Sequence, residues 1–407
     1  MNAHAQMAGV QPGRLVSLDA LRGFDMFWIV GGSGVATALA GMQPNAFTSL
    51  LTTQLTHATW VGFRFYDLIF PLFLFIMGVS LVFSLDKALA VETRSTVLSR
   101  AARRAMLLFA LGVFTTGGLS KPWPDVQLGG VLHRIGACSF LAATIYVFVR
   151  NARGLMLVSA ALLLGYWWLL TFVPIPDLRL EQPVVEEIAA RIGSTSPAAI
   201  SASIDARVTG SYEEGRNLTN YLDFRFMPGR KPQRYYMNEG LLSTLPAIAL
   251  PLFGALAGML LKKPGIPSWQ KAGWLLAGGA VCVAAGLVWS IQFPLIKRIW
   301  TSSFVLVSGG VSACLLAAFY WIVDVCGWRT WCQPFVWIGC NPLTIYVVAP
   351  IIGFRALATR LVGGDITNFL DTHVCLGCGG FVVAMMGLML VVMFARFLFQ
   401  RGIFLRV

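Results

Sequence analysis

The chain has 407 residues, 57% of them hydrophobic and 12% charged, with a formal net charge of +13. Soluble domains carry about 25% charged residues, so this composition, with its mean hydropathy of +0.71, excludes a soluble globular protein. It predicts an all-α polytopic membrane protein with the lipid bilayer as its solvent. The basic excess is what loops facing an anionic leaflet carry and does not argue for a nucleic-acid partner.

In chain order, a short polar segment, 1–23, precedes the first apolar run, and no cleavable signal peptide is visible in it. Apolar runs then predict about ten transmembrane helices, over 24–41, 62–85, 105–119, 131–149, 154–173, 241–261, 270–292, 300–324, 334–353 and 378–400. If the N-terminus is inside, sixteen Lys and Arg residues fall in inner segments and seven in the short outer ones. This bias predicts cytoplasmic N- and C-termini and places His57 at the outer face. Residues 1–407 read as a single transmembrane domain, with no sequence repeat between the halves of the kind that marks many transporters.

One long outer-face loop, 174–240, is too polar for a turn. Rich in Tyr, Arg and Asn, it reads either as a solvated cap or as part of a polar substrate site. Of the 8 cysteines, only Cys375 and Cys378 lie close together, and a local disulfide on the outer face would suit them. No second ligand pair accompanies them, so no metal is expected.

The most informative stretch is 57–78, where His57, Arg64 and Asp67 stand ahead of or inside a long apolar run. Ionisable groups at a membrane helix are costly unless they face protein or water, so they mark a functional site by default. His57 read alone is equally an interfacial residue with a solvated ring. Asp67 lies ten residues on, nearly three turns if the segment is helical. Direct contact with His57 is therefore not implied, and pairing with Arg64 or Arg134 is the expected role.

The pattern H-A-x-W-x-G-x-x-x-x-D-L-I-F-P-x-F-x-F-I-M-G, from His57 to Gly78, resembles the hallmark of the transmembrane acetyltransferases typified by heparan-α-glucosaminide N-acetyltransferase. In that family the histidine is the proposed acetyl-transfer residue. Arg14-Leu-Val-Ser-Leu-Asp19-Ala-Leu-Arg22-Gly23 resembles the start of its first conserved helix. Gly130-Val-Leu-His133-Arg134-Ile-Gly136, Asn238-Glu239-Gly240-Leu-Leu-Ser243-Thr244 and Lys297-Arg-Ile-Trp300-Thr-Ser302-Ser303 resemble three further blocks. Asn238 stands where the family pattern has proline. Asn341, in Gly-Cys-Asn341-Pro, resembles a further family asparagine and falls nearer the inner half.

The resemblance implies a bacterial inner-membrane member that moves the acetyl group of cytoplasmic acetyl-CoA to the amine of a glucosamine-type sugar on the outer side. It assigns His57, Asp67, Arg134 and Glu239 to catalysis. Arg14, Asp19, Arg22, Lys297, Trp300, Ser302 and Asn341 are assigned to cofactor binding, with no metal. Acetyl transfer to an amine needs a base near neutral pKa, a group that orients it and a donor for the thioester oxyanion, and His57 supplies the first. Arg14, Arg22, Arg103 and Arg104 at the inner rim would meet the coenzyme phosphates on charge alone. Asp19 and Arg22 read equally as a structural clasp, and Arg134 with Glu239 as an inter-helix ion pair. Trp60, Trp123 and Trp300 read as belt anchors or substrate platforms. Animal members place an asparagine upstream of the histidine, where this chain has Ser33, and carry a lumenal N-terminal domain. A homodimer is compatible with the resemblance. Rival readings are a membrane O-acyltransferase of surface glycans and an amino-sugar transporter.

Overall fold

A computed structural model describes residues 15–42 and 44–404, so Arg14 lies outside the described residues. The helices are α1 (Val16–Ala40), α2 (Ala46–Gln54), α3 (Phe65–Leu89), α4 (Arg94–Thr115), α5 (Val131–Phe148), α6 (Ala152–Phe172), α7 (Gln182–Ile192), α8 (Pro197–Ala202) and α9 (Leu218–Phe226). They continue as α10 (Thr244–Ala247), α11 (Ala249–Lys262), α12 (Ser268–Trp289), α13 (Ser302–Tyr320), α14 (Gln333–Gly339), α15 (Pro342–Ile352), α16 (Phe354–Val362), α17 (Asp365–His373) and α18 (Cys378–Gln400). Among the described residues, eight helical stretches are long and apolar enough to cross a membrane, and the bent pair α14–α15 makes up to nine. The protein is an all-α polytopic membrane protein.

Two of the expected spans take a different form. The run at 334–353 is broken: α14 and α15 meet at 87°, where Pro342 cannot donate to the helix before it. The run at 105–119 belongs to a helix that begins at Arg94 and ends at Thr115. Arg94, Arg100, Arg103 and Arg104 make its first half too charged to qualify by composition. It nevertheless lies along α5, with Ala105 against Gly136 and Gly112 against His133.

Close crossings hold the bundle together. A Cβ on Gly78 of α3 would fall 2.0 Å from the Pro251 carbonyl oxygen, and one on Gly254 of α11 would fall 1.9 Å from that of Phe75. Between apolar helices in lipid, where burial gives no preference, such backbone proximity is what yields contact energy. The core fills around α3, where Leu72, Leu74, Phe75, Ile76, Val79 and Val82 are essentially inaccessible.

The 174–240 loop is a folded cap. Strands β1 (Ile175–Pro176) and β2 (Arg207–Val208) pair antiparallel, and Leu178, Leu180, Val185, Ile200, Phe224 and Tyr236 form its own apolar cluster. Trp60 Nε1 donates to the Tyr212 carbonyl at 2.8 Å, so this tryptophan ties the cap to the bundle. Cys375, just ahead of α18, and Cys378, its first residue, are disulfide-bonded, a pairing that the sequence left open.

Candidate active site

Residues 58–64 are not helical. Gly62, at φ +134°, takes a backbone conformation that favours glycine. The chain therefore doubles back, and Asp67, in the first turn of α3, meets His57. Its Oδ1 lies 2.9 Å from His57 Nδ1, and its Oδ2 accepts the backbone N–H groups of Ala58 at 3.2 Å and Arg64 at 3.1 Å. The expected pairing of Asp67 with an arginine guanidinium is thus corrected. Arg64 gives Asp67 its backbone N–H, and its guanidinium donates to Thr56 Oγ1 and the His57 carbonyl, both at 3.0 Å. The three-turn helical spacing failed because the intervening segment is a loop.

Lys297 comes from the far side of the sequence. Val61 bridges to Ile296 and the Gly62 N–H donates to the Leu295 carbonyl at 2.8 Å, strapping the 290s loop to the histidine loop. Thr301 closes that loop: its hydroxyl donates to the Pro294 carbonyl at 2.7 Å and accepts the Ile296 N–H at 3.0 Å. Lys297 Nζ consequently lies 2.9 Å from Nδ1 and 3.1 Å from Nε2 of His57, and 3.7 Å from Asp67 Oδ1. Burial pushes the Lys297 ammonium down to about 8, against the opposing pull of Asp67 and Glu239. Tyr66 packs on the His57 ring with centroids 4.8 Å apart. Ser33 interacts with the Tyr66 hydroxyl, so it serves the ring that flanks the histidine.

Arg134 and Glu239 do not form an ion pair. The Arg134 guanidinium donates to the Gly240 carbonyl at 3.1 Å and to the Ser243 hydroxyl, and lies over the Trp300 ring at 4.9 Å. It is 2% exposed and braces the 240s loop against the 290s loop. Trp300, at φ +54° and buried against Phe70 and Phe304, is the other half of that brace. The Ser302 hydroxyl donates to the Leu163 carbonyl at 2.7 Å, which is a structural bond. The Asn341 side chain donates to the Ile403 carbonyl at 2.8 Å, at the break between α14 and α15.

Glu239 is held from below by a residue that sequence reasoning passed over. Asp223, in α9 and fully buried, accepts the backbone N–H groups of Met237 at 3.2 Å and Leu241 at 2.9 Å. Burial pushes its carboxyl up to about 6, with the two N–H groups opposing. Among the described residues, the Glu239 carboxylate makes no hydrogen bond or ion pair of its own.

His57, Lys297, Glu239 and Tyr66 line a cavity of about 270 Å³ whose floor is apolar, including Phe73, Leu132, Ile135 and Leu343. These same four residues also wall a second cavity of about 610 Å³. That second cavity contains Arg22, Arg103 and Arg104, as well as Arg100, which the sequence reading did not single out. Arg22 donates to Ser80 Oγ at 2.6 Å and to Asp19 Oδ1 at 3.1 Å, so Asp19 clasps Arg22 at the cavity edge. Among the described residues, Arg103 and Arg104 have no acceptor or carboxylate partner. Nor do the described residues contain a cluster of side chains able to hold a metal ion.

Residues 14–180 match a family model described as heparan-alpha-glucosaminide N-acetyltransferase, catalytic. The heparan-alpha-glucosaminide N-acetyltransferase of Homo sapiens is 26% identical over 336 residues, covering 72% of this chain and 48% of its own length. The Mus musculus protein of the same name is 25% identical over 330 residues, with 72% and 48% covered. The chain spans about half the length of these curated relatives. The matched region carries the histidine loop, its aspartate and the arginines of the second cavity; over that region the chain is similar to the heparan-alpha-glucosaminide N-acetyltransferases.

Proposed function

We propose that the protein transfers the acetyl group of acetyl-CoA, supplied from the arginine-walled end of the bundle, to the amine of a glucosamine-type sugar at the His57 end. The observation that carries this reading is the shared wall. Phe73, Leu132, Ile135 and Leu343 separate a cavity holding His57, Lys297 and Glu239 from one holding Arg22, Arg100, Arg103 and Arg104. The donor set suits the cosubstrate: the Arg103 and Arg104 guanidinium groups, without partners among the described residues, match phosphates, and the apolar lining suits a pantetheine arm. Reaching across a hydrocarbon core about 30 Å thick requires the coenzyme to sit inside the bundle, and the second cavity offers that depth. In this reading the arginine end faces the cytoplasm, the termini are cytoplasmic and the membrane is a bacterial inner membrane.

Each residue of the site has a task under this reading. Asp67 takes the Nδ1 proton of His57 in a hydrogen bond, which leaves Nε2 with its lone pair. His57 then accepts the proton of the attacking amine. The new N–C bond forms at the acetyl carbon, the C–S bond breaks, and the sulfur leaves as the coenzyme A thiolate, which the histidine or water reprotonates. Lys297, as a cation beside the ring, stabilises the oxyanion that develops on the thioester carbonyl. Glu239 accepts hydrogen bonds from the sugar.

The test uses purified protein in nanodiscs with labelled acetyl-CoA and glucosamine, comparing wild type with His57→Ala. Acetylglucosamine made by the wild type and lost in a folded variant that still binds acetyl-CoA supports the reading. Undiminished turnover in His57→Ala removes the histidine from the mechanism. A wild type that binds acetyl-CoA but acetylates only a hydroxyl acceptor replaces the acceptor class.

A further inference from the structure

A third cavity, of about 720 Å³, opens on the flank of the bundle between α1, the end of α4, α15 and α18. Its walls include Ser33, Gly34 and Thr37 on one side and Pro350, Arg355 and Leu388 on the other. It adjoins the His57 cavity, with Ile29 and Tyr346 lining both. At its edge Ile351 and Phe114 are 63% and 59% exposed, on a surface that faces lipid in a membrane protein.

Arg355 is the group that the fold does not otherwise explain. It is exposed, and among the described residues its guanidinium has no ion pair or hydrogen bond. Its Cα lies 3.6 Å from where a Cβ on Gly387 would be. Gly387 is nine residues into α18, about 14 Å along the helix at 1.5 Å per residue. A cation at that depth against lipid is costly unless an anion joins it. The groove therefore combines a long apolar wall, a cation without a partner among the described residues and an end that adjoins the histidine cavity.

We propose that the acceptor sugar reaches His57 on a membrane amphiphile: an amino sugar joined through a phosphate to a long alkyl or isoprenoid chain. The chain lies in the groove along α1 and α18, the phosphate meets Arg355, and the sugar passes Ile29 and Tyr346 to present its amine at His57. This rests on the acetyltransferase reading and names the acceptor class for it.

Two measurements in nanodiscs test it. The first compares acetylation of free glucosamine with that of glucosaminyl phosphate carried on a long isoprenoid chain. The lipid-linked acceptor is expected to show a kcat/KM higher by about tenfold or more, the scale of a charge-assisted phosphate contact. Arg355→Gln and Gly34→Phe should erase that advantage while leaving turnover of free glucosamine unchanged. A Cβ on Gly34 meets nothing within 4 Å and the residue lines the groove, so a side chain there enters the groove, and retained turnover of free glucosamine checks that the fold is intact. Equal kcat/KM for the two acceptors, or loss of both activities together in Arg355→Gln, overturns the proposal.

The second measurement does not need turnover. A diazirine-bearing glucosaminyl isoprenyl phosphate should label the 29–37 stretch of α1 in wild type and not in Gly34→Phe. Labelling without any acetyl transfer would leave the groove assignment standing and remove the acetyltransferase reading. Labelling no stronger than that by a diazirine phospholipid overturns the proposal, as does crosslinking of Thr37→Cys between two copies of the chain in the absence of lipid acceptor.

Discussion

The two cavities that share the Phe73, Leu132, Ile135 and Leu343 wall are built on opposite principles. At one end His57, Asp67 and Lys297 hold one another within 2.9 to 3.7 Å, and backbone N–H groups fix the carboxylate from behind. At the other end Arg22 pairs with Asp19 and Arg100 with Glu92, while Arg103 and Arg104 have no partner among the described residues. Groups that must stabilise a transition state gain most from being oriented in advance, since no reorganisation is then spent during the reaction. A site that must admit and release a large anion gains from the reverse. Its unpaired cations repel one another until the anion arrives, so binding relieves a cost already present. Under the proposed function, one end is organised for chemistry and the other for exchange.

If that contrast holds, damage at the ordered end should appear in turnover. His57→Ala should lower kcat by about 1,000-fold or more, the upper part of the range for a lost general base. Its apparent KM for acetyl-CoA should stay within about twofold, read from initial rates in nanodiscs. Asp67→Asn keeps the shape but releases the Nδ1 proton from its acceptor, so the imidazole can take the unproductive tautomer. A loss of about 100-fold in kcat is expected, with an altered His57 nitrogen chemical shift as the separate sign that orientation is what failed.

Damage at the arginine end should appear in KM. Arg103→Ala and Arg104→Ala should each raise the KM for acetyl-CoA by about tenfold or more, the scale of a charged hydrogen bond to phosphate, and leave kcat nearly unchanged. The effect should shrink in high salt, because exposed charges are screened. A fall in kcat with unchanged KM would reverse the assignment of the two ends.

How much of this was legible beforehand depended on sequence distance. The apolar runs located the spans, and the 57–78 motif located the histidine, because both signals are local. The His57–Asp67 contact was missed since ten residues were counted as helix. Gly62 inside the stretch was the available signal that the backbone turns. Lys297 was recognised as a motif residue but assigned to the cofactor. Its place beside the ring depends on a strap between Val61 and Ile296, more than 200 positions apart, which no periodicity encodes. Asp223 sat in a polar loop, where a carboxylate is ordinarily solvated, and only the folded cap reveals that it holds the backbone under Glu239. In the sequence Arg100 reads as one more inner-rim charge, because nothing local shows that α4 begins at Arg94 and continues past it into the bundle.

The smallest effect separates the cation at the ordered end from those at the other. Arginines stay charged throughout the accessible range, whereas the Lys297 ammonium, lowered to about 8 by burial, is lost as pH rises through that value. If the cation stabilises the oxyanion, kcat should fall about tenfold for each pH unit above about 8. The Lys297→Arg variant, charged throughout, should lose this limb. Stability should move the other way. The folded state holds the proton less tightly than the unfolded chain, whose lysine titrates near 10.4, so unfolding takes up a proton between about 8 and 10.4. Folding stability therefore gains from this group as pH rises across that window. Thermal unfolding of wild type against Lys297→Met, followed across the same pH series, reads that difference. Falling kcat together with a rising Lys297-dependent contribution to Tm cannot come from alkaline denaturation, which would lower both. A kcat that stays flat past pH 9 in wild type would mean that the charge on Lys297 takes no part in the reaction.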